Sequence, residues 1–221
     1  VVTEPQASPA EAAEFRARHD IAPDAPLILA LPGSRRGEGG RLAPVFGAAL
    51  ERYLAKRPDT RVIVPAAGPV ADLVRSQTAT WPGNPVVIDP SEHTDAVMLK
   101  RGAFGGAELA LAASGTVSLE LAAAATPMVI AYRFNWLSWQ IISRMAIVDT
   151  VTLVNLVSDT RVVPECLGPD CTPEKIANAL SDVAADPETQ RAAMALTMER
   201  LGQGGEAPGL RAARAVLDGL R

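Results

Sequence analysis

Cysteine is scarce in this chain. Two thiols occur in 221 residues, Cys166 and Cys171, in a Gly-Pro-Asp loop. Histidine is equally scarce, and His19 and His93 lie far from both cysteines, so no tetrahedral zinc set forms locally. A disulfide between two such neighbours is open, but reduced thiols of a cytosolic protein are the expectation. Excess charge is missing as well. Lysine and arginine number 21 against 25 acidic residues, a net charge of −4, so no basic field recruits nucleic acid. No apolar run reaches the ~18–20 residues of a transmembrane helix. The opening residues Val1-Val2-Thr3-Glu4-Pro5 carry neither a basic region nor a long apolar stretch, so no secretory signal is expected there. An initiator methionine is lacking too, which reads as a fragment or excised domain.

What is present is ordinary for a globular protein: 48% hydrophobic and 21% charged residues. The length suits one large domain, or a compact domain with an appendage, and buries enough surface to stand without disulfide or metal. Residues 1–10 read as linker. A short helix is expected over 11–19, with Ser8 as cap candidate and Pro9 in its first turn. Leu27-Ile28-Leu29-Ala30-Leu31 reads as a strand buried on both faces. A glycine-rich basic loop, Pro32 to Gly40, follows, with a helix from about Pro44.

The rhythm repeats. Strands are expected at 61–65, 85–89, 107–113 and 127–132, and short strand-like pieces at 150–157 and 161–164. Helices are expected at 70–79, 117–125, 136–147, 173–186, 188–201 and 206–220. The stretch after Ser91 also reads as helical, but Gly102, Gly105 and Gly106 obscure its end. Strands separated by helices imply a parallel α/β sheet flanked by helices, of Rossmann-like type. Ligands of such sheets bind outside the carboxyl ends of the strands, where strand order reverses.

Two strand-to-helix junctions carry chemistry. At Pro32-Gly33-Ser34-Arg35, glycine lets backbone approach an anion, and Arg35 offers a planar fork for phosphate. The loop is neither a Walker A motif nor a dinucleotide fingerprint, so an exposed basic turn stays open as the alternative. At Ser114-Gly115-Thr116, the N–H groups at the start of a helix suit phosphate. Glu120, one turn in, would repel phosphate but can accept from a ribose diol. The plainer reading makes Thr116 a cap and Glu120 a complement to the helix dipole.

Three segments together resemble the lipid-A-disaccharide synthase family. Leu29 to Glu38 is similar to its donor-side loop. Ala113 to Glu120, with Ala125-Thr126-Pro127 through Arg133, resembles its second signature. Leu153-Val154-Asn155-Leu156 and Val162-Val163-Pro164-Glu165 resemble its third. The resemblance runs over about residues 1–217, with all three segments in order. Val154 stands where the family has proline, Ala125 where it has glycine, and Gly39-Gly40 where its loop continues with isoleucine.

That resemblance implies the C-terminal, nucleotide-sugar-binding half of a GT-B glycosyltransferase. The family joins UDP-2,3-diacylglucosamine to 2,3-diacylglucosamine 1-phosphate (lipid X) with inversion, releasing UDP and using no metal or other cofactor. It implies that Gly33, Ser34 and Arg35 face the diphosphate, with N–H groups of Ser114, Gly115 and Thr116. Glu120 would hold the ribose and Asn155 the donor or UDP, with Arg133 a further basic contact. The general base is expected in the N-terminal half. The implied organisation is linker and short helix over 1–25, donor-binding domain over 26–204, and a C-terminal helix over 205–221 packing toward the other half. The implied setting is cytoplasmic, with contact to the inner-membrane surface.

The residues are compatible with this chemistry. Metal-dependent transferases often use an Asp-x-Asp pair, which is missing; arginine and backbone dipoles can offset a leaving diphosphate instead. His93 reads as a polar loop residue and not as a base. Trp136-Leu137-Ser138-Trp139-Gln140-Ile141-Ile142 reads as packing, with a membrane-surface anchor as the other option. Half of another UDP-sugar GT-B enzyme, such as a UDP-N-acetylglucosamine 2-epimerase or a peptidoglycan glycosyltransferase, or a stand-alone nucleotide-binding module, are the rival readings.

Overall fold

A computed structural model describes residues 7–33, 36–133, 149–205 and 208–219. Six parallel strands form its centre: β1 (Leu27–Leu31), β2 (Arg61–Pro65), β3 (Val86–Ile88), β4 (Leu109–Ala113), β5 (Met128–Tyr132) and β6 (Glu165–Leu167). Their spatial order is β3-β2-β1-β4-β5-β6. Around them run α1 (Pro9–Arg18), α2 (Arg36–Leu54), α3 (Ala71–Thr78), α4 (Ala96–Gly106), α5 (Val117–Ala123), α6 (Leu153–Ser158), α7 (Pro173–Ala185), α8 (Pro187–Arg200) and α9 (Pro208–Gly219). The expected parallel α/β sheet is therefore present.

Alternation along each strand builds two cores. Ile28, Ala30, Val62, Val64, Leu111 and Val129 face Phe46 and Leu50 of α2, Val74 of α3 and Leu180 of α7. Their neighbours Leu27, Leu29, Ile63, Ala110 and Ile130 face Phe15 of α1, Leu99 and Phe104 of α4, Leu121 of α5 and Met194 of α8. Because both faces are covered, β1 and β4 read as continuous apolar runs. Each fully buried Leu, Ile or Phe contributes about 1.5–3 kcal/mol.

Three expectations are corrected. First, α2 begins at Arg36, so Arg36 to Gly40 is helix and not loop. Glycines weaken a helix, and Pro44 leaves the Gly40 carbonyl without its helical partner. The apolar stripe of Leu42, Val45, Phe46, Ala49 and Leu50 overrides both, since packing supplies most helical stability. Second, Leu153–Ser158 is a helix and not a strand. Glu165 Oε1 accepts from Val151 N (3.0 Å) and Thr152 N (2.7 Å) at its start, and from Thr150 Oγ1 (2.5 Å). Third, the strand expected at 161–164 lies at Glu165–Leu167, pairing with β5.

Gly102 does not end α4, which runs on to Gly105 and Gly106. A Cβ on Gly102 would lie 2.7 Å from the Glu11 carbonyl oxygen and 2.9 Å from Phe15 Cβ. They let α1 cross close above α4, with Arg101 paired to Glu11 at 3.1 Å. The helix expected after Ser8 is there, with a complete capping box between Ser8 and Glu11. The helix expected over 136–147 lies outside the described residues.

Candidate functional site

The chain enters the sheet at β1, moves outward through β2 and β3, then returns to β4 on the other side of β1. The carboxyl ends of β1 and β4 are therefore the switch point. A cleft of about 640 Å³ opens there. Leu31 and Gly33 line it from β1, and Ala113, Ser114, Gly115 and Thr116 from β4. Gly33, just beyond the end of β1, has φ 114°, a conformation that favours glycine. Pro65, Ile88, Pro90, Val97 and Phe104 form an apolar flank. Arg75 holds the rim beneath Pro90, pairing with Glu92 (2.6 Å) and Asp89 (3.5 Å). Hydrogen bonds from Ser91 Oγ and N hold the Asp89 carboxyl below the usual carboxylate range.

Among the described residues, two charged side chains line the cleft, Lys100 from α4 and Glu120 from α5. They form an ion pair, with Glu120 27% and Lys100 49% exposed. The Lys100 ammonium also sits 5.3 Å from the centre of the Phe104 ring. Sequence reasoning missed Lys100, because the glycines behind it obscured α4. With that helix in place, Val97, Lys100 and Phe104 fall at spacings of three and four, on one face.

Gly33, Ser114, Gly115, Thr116 and Glu120 are thus brought together. Thr116 occupies the N-cap position of α5 in helical conformation and makes no side-chain capping bond. The Ser118 hydroxyl donates instead to the Gly115 carbonyl at 2.9 Å. Ser34 and Arg35 lie outside the described residues. Arg133 is exposed beyond the end of β5 and is not among the residues lining the cleft.

Asn155 does not join the cleft. It is 1% exposed, and its amide is committed to the protein interior. Nδ2 donates to the Val163 carbonyl (2.9 Å) and Thr150 Oγ1 (3.2 Å), and Oδ1 accepts from Val163 N (3.0 Å). In this structure it ties α6 to the segment before β6. Val154 beside it is buried in the core.

Cys166 and Cys171 are free and buried. Burial pushes the Cys166 thiol up to about 11 and raises that of Cys171 as well. His93 lies in the loop after the turn at Pro90–Glu92. Among the described residues, no three His, Cys, Asp or Glu side chains cluster to hold a metal, and no helix is long and apolar enough to cross a membrane.

The architecture matches solved structures at low sequence identity. An ADP-heptose LPS heptosyltransferase II from Escherichia coli aligns with a TM-score of 0.57 and 11% identity, over 83% of this chain and 54% of that one. A UDP-GlcNAc 2-epimerase from Neisseria meningitidis aligns at 0.58 and 15%, over 96% and 49%. The fold is the parallel, helix-flanked sheet found in glycosyltransferases of the GT-B class. Residues 3–214 match the family described as Lipid-A-disaccharide synthetase. The Lipid-A-disaccharide synthase of Ruegeria pomeroyi is 64% identical over 100% of this chain and 55% of its own length. That of Rhodospirillum centenum is 40% identical over 98% and 53%. The chain belongs to the lipid-A-disaccharide synthase family, and it spans about half the length of these curated relatives.

Proposed function

We propose that this chain is the donor-binding half of an inverting glycosyltransferase. The enzyme joins UDP-2,3-diacylglucosamine to 2,3-diacylglucosamine 1-phosphate and releases UDP. The observation that carries the reading is the cleft at the β1/β4 switch point, in a member of this family. Ser114, Gly115, Thr116 and Gly33 offer backbone to the diphosphate across that cleft, with Ser34 and Arg35 completing the anion side. Glu120 accepts from the ribose diol.

Attack by the acceptor hydroxyl on the anomeric carbon forms the new glycosidic bond, and the bond to the UDP oxygen breaks. The departing diphosphate gains negative charge, and donors already aimed at it lower the barrier. A general base takes the acceptor proton. That base comes from the other half of the enzyme, together with the lipid acceptor's site. No metal is required in this scheme, since arginine and backbone N–H groups meet the charge. The work is done at the cytoplasmic face of the inner membrane, and helix α9 packs toward the other half.

Calorimetric titration of this chain with UDP tests the proposal. One UDP should bind per chain, and the chain given both lipid substrates should form no disaccharide. Failure to bind UDP, or turnover by this chain alone, overturns it.

A further inference from the structure

Of the two charges that line the cleft among the described residues, that of Glu120 opposes a nucleotide diphosphate unless Lys100 offsets it. Glu120 alone would place a carboxylate one helical turn (~5.4 Å) from the Ser114-Gly115-Thr116 junction. An anionic ligand would meet that charge in a partly desolvated site, where repulsion is stronger than in water. Lys100 sits against this carboxylate. It comes from a different helix, and its own position is fixed by the Phe104 ring four residues on.

A carboxylate has two oxygens and about four acceptor sites. Lys100 donates to Oε2. The remaining capacity can take the hydroxyl hydrogens of a diol. Lys100 therefore leaves room for a ligand at Glu120 while cancelling its charge and fixing its orientation.

We infer that Lys100 is a positioning residue for the nucleotide: it orients the Glu120 carboxylate toward the ribose and neutralises it so that the adjoining diphosphate is tolerated. This rests on the donor-binding reading above. An ion pair that merely tied α4 to α5 would contribute little at this exposure, and would act on stability alone.

The test titrates this chain and three variants with UDP and with uridine, alongside thermal melts. Lys100→Met keeps an apolar side chain against Phe104 but exposes the ligand to an unpaired Glu120. It should weaken UDP on the order of tenfold and uridine far less, because uridine has no phosphate. Lys100→Arg should keep the UDP-to-uridine preference of the unaltered chain. Adding Glu120→Gln to Lys100→Met removes the repelling charge and should recover part of that preference. Equal weakening of both ligands by Lys100→Met, or no recovery in the double variant, overturns the inference while leaving the donor-binding reading intact. If the unaltered chain binds no UDP, that reading fails and the inference falls with it.

Discussion

At the scale of single residues, the structure separates two positions that the family signatures treat alike. Glu120 and Asn155 both belong to motifs in the right order, yet only Glu120 lines the cleft. Spacing made Glu120 legible, since four residues on a helix return the chain to the same face. Asn155 was legible as a motif member but not as a buried tie, because its partners Thr150 and Val163 are set by a helix that its β-branched neighbours disguise. Asn155→Ala should therefore destabilise the fold by about 2–4 kcal/mol, as it strips partners from a buried N–H and a buried carbonyl. Urea unfolding of the variant measures this. A stable variant with weakened UDP binding would return Asn155 to the ligand.

At the scale of elements, the end of α5 shows a left-handed turn made by a residue other than glycine. The helix closes with Thr126 N donating to the Leu121 carbonyl and Ala125 N to that of Ala122, both at 3.0 Å, the double bond pattern of a left-handed helix end. Ala125 adopts φ 54° to make that turn. Glycine would do so without Cβ strain. Ala125→Gly should raise stability by roughly 0.5–1 kcal/mol after the entropy cost of the extra chain freedom, read from the shift in the unfolding midpoint. The same element scale explains where sequence reading failed. Buried strands were plain from apolar runs, and helices such as α1, α7 and α8 were expected close to where they lie. The starts of α2 and α6 were not, because local signals pointed away from helix and only packing reversed them.

At the scale of the molecule, stability should depend on pH in a specific window. Burial, and then the charges of Arg18 and His93, hold the His19 imidazole below its ordinary value of 6.5. Its Nε2 is buried without a hydrogen-bond partner among the described residues. The folded state thus binds this proton less readily than the unfolded chain. His19 contributes its full stability above about pH 6.5, and that contribution falls as pH drops from there toward the folded value. Asp89, Asp95 and Asp149, with depressed values, lose theirs only near pH 4 and below. Thermal melts between pH 8 and 5 should show the midpoint falling below pH 6.5, and His19→Gln should flatten that slope; an unchanged slope would assign the effect elsewhere. The overall sheet was legible from its alternation of strands and helices, whereas its strand order was not, since adjacency in a parallel sheet is decided by distant partners. That order also governs how the protein is made. Central strand β1 pairs with β4, Ile28 opposite Leu109, across roughly eighty residues of intervening chain. On the ribosome, β1, β2 and β3 emerge before β4 and can associate, while the other edge of β1 waits bare. A nascent chain stalled before β4 would present an apolar, unpaired strand at what should become the middle of the sheet, the form most exposed to aggregation and to chaperone capture.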